Sequence, residues 1–143
     1  MKVLDSPIAN QVEATYCLEV GDFHFFKNLV VAEFKQGAYV SFEDYKEAYE
    51  LCLDIFNNTP FGFISNRVNS YSINLVDAQE HRKKLKLLHA YAIVTYSHNS
   101  KRMLIVEDHY FNLKRKRFNA FIDAFNWVNK KVVLATQSVK ENH

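Results

Sequence analysis

Apolar and polar positions change period several times along the chain, and each change marks an element. From Val12 to Val20 the residues Val12, Ala14, Tyr16 and Leu18 alternate with Glu13, Thr15 and Glu19, which predicts a strand with two unlike faces. Gly21-Asp22 supplies a turn, because glycine tolerates positive φ and aspartate bonds its own backbone. Phe23 to Phe26 and Leu29 to Phe34 then continue as strand around Lys27-Asn28, so the object predicted is an antiparallel hairpin. Beyond Gln36-Gly37 the period becomes helical. Tyr45, Ala48, Tyr49, Cys52, Ile55 and Phe56 recur at three and four residues, which is one helical face. Ser41 with Asp44 approximates a capping box, Glu43 and Asp44 suit the positive helix end, and Asn57-Asn58-Thr59-Pro60 stops the helix.

The stretch Phe61 to Ser65 is apolar almost to its end, the pattern of a central strand covered on both faces. Asn74 is placed to cap a helix from about Leu75 to Leu88, with Leu75, Ala78, Leu85 and Leu88 inward and His81, Arg82, Lys83, Lys84 and Lys86 outward. Ala90 to Tyr96 is a second buried strand, and two strands separated by one helix make a right-handed βαβ unit. Asn99 or Ser100 caps a helix through Met103, Leu104 and Glu107; Phe118 forms a short edge strand; Asn119 caps a last helix striped by Phe121, Ala124, Phe125, Val128 and Val132. Residues 1 to 11 read as a loose lead-in and the tail from about Gln137 as fraying. The order predicts an α/β class: a mixed sheet of four to five strands with an N-terminal antiparallel hairpin and about four helices. It forms a single domain over residues 1–143, with its core from about 12 to 134.

Composition supports an ordered core. Of 143 residues 48% are apolar and 15% aromatic, with 12 Phe and 8 Tyr against 3 Gly and 2 Pro, so no staple is needed. Eighteen basic and 16 acidic residues leave a net charge of +2, which gives no global field for a polyanion. The tetrad Lys114 to Arg117, flanked by Phe111 and Phe118, reads as a solvated loop because the aromatics are needed for the core; no nucleic acid partner is expected. Cys17 and Cys52, isolated from each other, read as buried reduced thiols. No apolar run reaches the roughly 18 residues of a membrane span, and the first residues lack a signal-peptide core, so the expected location is cytoplasmic.

The six histidines have no ligand spacing, and His109 beside Glu107 and Asp108 would point to a different side of a helix from each. With no Gly-rich phosphate loop, nucleophile elbow or paired-cysteine motif, the expectation is no metal, no cofactor and no enzyme. Most aromatic residues fill the core; Phe23, Phe25, Phe26 and Tyr39 around the hairpin are candidates for an exposed dimer or partner face.

One stretch gathers candidate chemistry. Phe61 to Ser72 reads FGFISNRVNSYS, a strand running into Arg67, Asn69, Ser70, Tyr71 and Ser72 ahead of a helix N-terminus. An arginine fork with free amides and hydroxyls at that position suits a phosphate or carboxylate. The structural alternative is that Asn and Ser serve a turn and Arg67 pairs with a nearby carboxylate.

This element order, with the words FGFISNRVNSYS, AIVTYS and FNAFIDAFNWV, resembles the small bacterial SpoIIAA-like proteins, the STAS domains, whose fold is similar to that of the CRAL-TRIO domains. The resemblance covers about Thr15 to Val132. It implies a non-catalytic regulatory or protein-interaction module, acting on a protein partner or as a homodimer. The alternative is a small-molecule or lipid-binding protein with an anion-binding corner at Arg67 to Ser72. In the anti-sigma-factor antagonists of that family a serine at this corner is phosphorylated, usually within Asp-Ser-Ser/Thr-Gly. Here the segment is Asn69-Ser70-Tyr71-Ser72, which keeps Ser70 and Ser72 as candidates but lacks the motif's aspartate and glycine.

Overall fold

Alternation along the central strands sorts their side chains onto two faces, and each face becomes a core. The computed structural model describes residues 1–74, 86–96, 102, 104–108 and 115–141. The strands are β1 (Ala14–Leu18), β2 (Gly21–Phe25), β3 (Leu29–Phe34), β4 (Tyr39–Val40), β5 (Phe61–Asn66), β6 (Ser72–Ile73), β7 (Leu88–Val94) and β8 (Arg115–Phe118). Helix α1 spans Phe42–Ile55 and α2 spans Phe121–Glu141, and residues 104–108 are also helical. A six-stranded sheet has the order β1-β2-β3-β5-β7-β8, antiparallel from β1 to β3 and parallel from β3 to β8. β4 and β6 form a separate parallel pair.

On one face Val30, Ala32, Phe34, Phe61, Phe63, Tyr91 and Ile93 pack against Tyr45, Ala48, Cys52 and Phe56 of α1. On the other Leu29, Val31, Ile64, Ala90, Ala92 and Val94 pack against Phe121, Ala124, Val128 and Val132 of α2. Helix α2 lies so close to β5 that a Cβ on Gly62 would run into the γ carbons of Val128 and Val132. Helix α1 begins on the expected capping box, with the Ser41 amide donating to Asp44 Oδ2 at 2.8 Å. It ends where Asn57 and Asn58 turn left-handed (φ 52° and 57°), a conformation asparagine tolerates because its side chain bonds locally.

The mixed α/β sheet with its N-terminal hairpin follows the pattern of the sequence, and several local expectations are corrected. Six strands join the main sheet instead of four to five, because Arg115 to Arg117 of the basic run belong to strand β8 and not to a solvated loop, Lys114 lying outside the described residues; the Arg115 side chain is buried by pairing. The first turn is Glu19-Val20, and Gly21 opens β2, where a Cβ would lie 2.5 Å from the Glu33 carbonyl; close strand approach is what requires glycine there. Phe23, Phe25 and Phe26 are buried between sheet and helices, leaving only Tyr39 of that group exposed, at 62%. Cys17 is exposed because β1 is an edge strand, whereas Cys52 is buried.

Residues 1 to 11 are not loose. Two 3-10 turns, Val3–Asp5 and Ala9–Gln11, fold them onto the α2 face, where Val3 is 0% exposed. Leu88 belongs to β7 and not to a helix; most of the helix expected from Leu75 lies outside the described residues. The last helix starts one residue later than an Asn119 cap implies, since its first bond runs from the Ala124 amide to Ala120 O and Asn119 Oδ1 accepts from Arg117. Helix α2 then continues past Gln137 to Glu141.

Candidate functional site

The parallel strands β3, β5 and β7 end together, and strand alternation sends their last residues to opposite faces, building two polar clusters where α/β sheets commonly bind ligands. Ser65 and Arg67 face the α1 side. Arg67, 7% exposed, takes Glu107 as a bidentate partner through its guanidinium, Nη1 to Oε2 at 3.1 Å and Nη2 to Oε1. Its plane lies 4.9 Å over the Tyr71 ring, and the Tyr71 hydroxyl shares a 2.6 Å hydrogen bond with Ser65 Oγ. Glu107 Oε1 also accepts from Arg115 Nη2 at 3.3 Å, while Arg115 Nε donates to Asp108 at 2.6 Å. Two guanidiniums thus converge on one buried carboxylate. Burial opposes the charge on Arg67, but Tyr71 and Glu107 outweigh it and raise the group above its usual range; burial also pushes the Tyr71 hydroxyl up to about 12. Within this cluster Arg67 Nε and Thr95 Oγ1 are buried and, among the described residues, have no hydrogen-bond partner.

Glu33 and Asn66 face the α2 side. Glu33 Oε1 accepts from His24 Nε2 at 3.1 Å, and Oε2 accepts from the Val3 amide at 2.9 Å and Asn66 Nδ2 at 2.8 Å. His24 Nδ1 meets Thr15 Oγ1 at 2.9 Å, and Tyr96 donates to Asn66 Oδ1 at 2.7 Å. Met1 O accepts from Asn66 Nδ2, so the N-terminal segment closes over this end of the sheet. Burial pushes the Glu33 carboxyl up, yet the bonds from His24, the Val3 amide and Asn66 outweigh it and hold the group below its ordinary value.

The residues singled out in the sequence separate in space by role. Arg67 and Tyr71 enter the buried cluster, where Arg67 pairs with a carboxylate. Asn69 Nδ2 donates to Phe34 O at 3.0 Å and ties the loop to β3. Ser70 is exposed, its amide donating to Gln36 Oε1 at 2.8 Å and its carbonyl accepting from the Gly37 amide at 2.7 Å. Ser72 is exposed in β6, beside Tyr39 of β4, instead of opening a helix. Sequence reasoning did not place Glu33, Thr95, Glu107 or Arg115 at this end of the sheet. Glu33 left a trace, a lone carboxylate inside the apolar run LVVAEF, which asks for a buried partner.

Among the described residues no group of three His, Cys, Asp or Glu side chains is placed to hold a metal ion, and no helix is long and apolar enough to cross a membrane. A cavity of about 290 Å³ opens between β7, β8 and the helical residues, lined by Ile93, Leu104, Ile105, Asp108, Arg115 and Arg117. Beside it Ile105 is 75% and Val106 46% exposed.

No family model matches the chain, and no curated protein does. Among solved structures it is similar to an uncharacterized protein of the DUF3478 family with a SpoIIAA-like fold from Shewanella loihica PV-4. The identity is 16%, the likeness covers 80% of this chain and 90% of that one, and the TM-score is 0.46. The SpoIIAA-like fold expected from the sequence is the fold of that neighbour.

Proposed function

We propose that the chain is a non-catalytic protein-interaction module of the STAS type. The observation that carries this reading is the pair Ile105 and Val106, apolar side chains held in water on a helical segment at the rim of the 290 Å³ cavity. The polar groups at the sheet's end support it from the other side. Their strongest acids and bases, Arg67, Glu107, His24 and Glu33, bond to one another inside the protein and serve the fold. A regulatory role through Ser70 or Ser72 fits their exposure, although Arg67 is turned inward to Glu107 and does not present its fork to either hydroxyl from the surface.

The test is a photo-crosslinking residue placed at Ile105, with the same residue at the exposed Glu50 of α1 as control, in the native cell. A discrete crosslinked species at 105 that is absent at 50, and is lost on Val106→Asp in a protein of unchanged Tm, is the expected result. Equal crosslinking at both positions, or none at 105, removes this reading.

A further inference from the structure

Arg67 and Thr95 follow directly on the paired residues Asn66 and Val94 of the parallel strands β5 and β7, and the Arg67 amide donates to Val94 O at 3.0 Å. Parallel partners point to the same face: Ser65 and Ile93 lie on the α1 side, Asn66 and Val94 on the α2 side. The next rung therefore brings Arg67 and Thr95 side by side on the α1 side. Thr95 is 3% exposed and Arg67 7%, and each holds a donor, Oγ1–H and Nε–H, without a partner among the described residues. Buried donors left unbonded are rare in folded proteins, and two on adjacent rungs share one remedy, an acceptor atom between them.

The charge of the surroundings says which acceptor. Glu107 is the carboxylate fully buried here, and it serves both Arg67 and Arg115; Asp108, the second acid, has a side chain 47% exposed. The Tyr71 and Tyr91 rings that lie under the two guanidiniums bring no negative charge at neutral pH. Among the described residues Arg67 thus has a share of one carboxylate, and the Nε–H left over, a donor on a cation, favours an oxyanion oxygen; the cluster lies beyond the carboxyl ends of parallel strands, where such sheets take ligands.

We propose that Arg67 Nε and Thr95 Oγ1 form a small oxyanion site, which takes one oxygen of a carboxylate or phosphate group while Glu107 keeps the other edge of the Arg67 fork. The specific elements are Arg67 and Thr95. Ser70 and Ser72, on the exposed loop and β6, are not part of it.

The Nε–H resonance of Arg67 reports the site directly. In a buffer free of oxyanions the protein is titrated in two arms, with inorganic phosphate and with acetate, and the signal followed by proton–nitrogen correlation. A saturable shift with either probe is expected, and the arm that saturates first assigns the class. Thr95→Val keeps the shape and removes the orphan hydroxyl, so it should raise Tm in the oxyanion-free buffer and weaken the probe at least tenfold. A signal that moves with neither probe means that a water fills the gap, and overturns the proposal. So does a Thr95→Val protein that binds as tightly as wild type. These outcomes do not bear on the crosslinking at Ile105, so this site and the interaction surface stand or fall separately.

Discussion

At the scale of single residues, the cluster around Glu107 shows how a charge is made tolerable inside an apolar sheet. Each oxygen of the carboxylate accepts from a guanidinium, and the guanidiniums lie over tyrosine rings that cover their faces. Removing the acid while leaving both arginines buried is expected to lose about 3–5 kcal/mol. Glu107→Ala should show this as a lower midpoint in urea unfolding, and an unchanged midpoint would mean that the arginines find water. Gly62 works by absence. With Val128 and Val132 packed against its Cα, Gly62→Ala forces helix α2 away from β5 and should lose about 1–3 kcal/mol in the same measurement. Arg67 was legible in the sequence as a residue needing a partner, but Glu107 as that partner was not. The two are 40 positions apart and neither strand period nor helix period relates them.

At the scale of elements, the N-terminal segment behaves as a strap. Val3 plugs the α2-side core while its amide and Met1 O bond to Glu33 and Asn66. Glu33 has a folded-state pKa below its ordinary value. Its contribution is thus complete above the ordinary glutamate range and is lost as pH falls through the folded pKa. Glu33→Gln should therefore be less stable than wild type at neutral pH, with the gap in Tm closing as pH drops below about 4. A gap independent of pH would show that the carboxylate is not the titrating group. The strap looked loose in the sequence because Asp5, Ser6, Pro7 and Asn10 carry no periodic pattern. One buried valine and one amide are enough to dock it, and sequence patterns do not register contacts that few. Helix α1 is the opposite case: its capping box, its apolar stripe and its asparagine stop are all local, and all were readable.

At the scale of the whole molecule, the two cysteines sample different depths of one fold. Cys17 lies on the outer edge of the sheet, where hydrogen bonding and charge from Asp22 raise its pKa; Cys52 is sealed in the α1-side core and burial pushes its thiol up to about 12. One thiol should therefore react with a maleimide in the native state, and Cys52 should react only at the rate of large-scale opening. Intact-mass kinetics distinguish the cases: two fast additions without denaturant would mean that α1 separates readily from the sheet. The pairing that makes this molecule one unit, antiparallel β1 to β3 joined to parallel β5, β7 and β8, was foreseen in kind, but β8 was not seen as a strand of four because its residues are Arg, Lys, Arg and Phe.

What the sequence determined by itself is the order and type of elements whose causes are local: the period of two in β1, the period of 3.6 in α1 and α2, the capping box of α1, and the apolar runs of β5 and β7. Only the tertiary structure decided where the charges go. Glu33, Asn66, Arg67, Thr95, Glu107 and Arg115 come from five separate stretches of the chain, Asn66 and Arg67 being neighbours, and gather into two clusters because β3, β5 and β7 end together and alternate their faces, with Glu107 brought by the helical residues 104–108 and Arg115 by β8. That meeting, set by strand register and not by spacing along the chain, turned the Arg67 corner from an exposed anion cradle into a buried ion cluster.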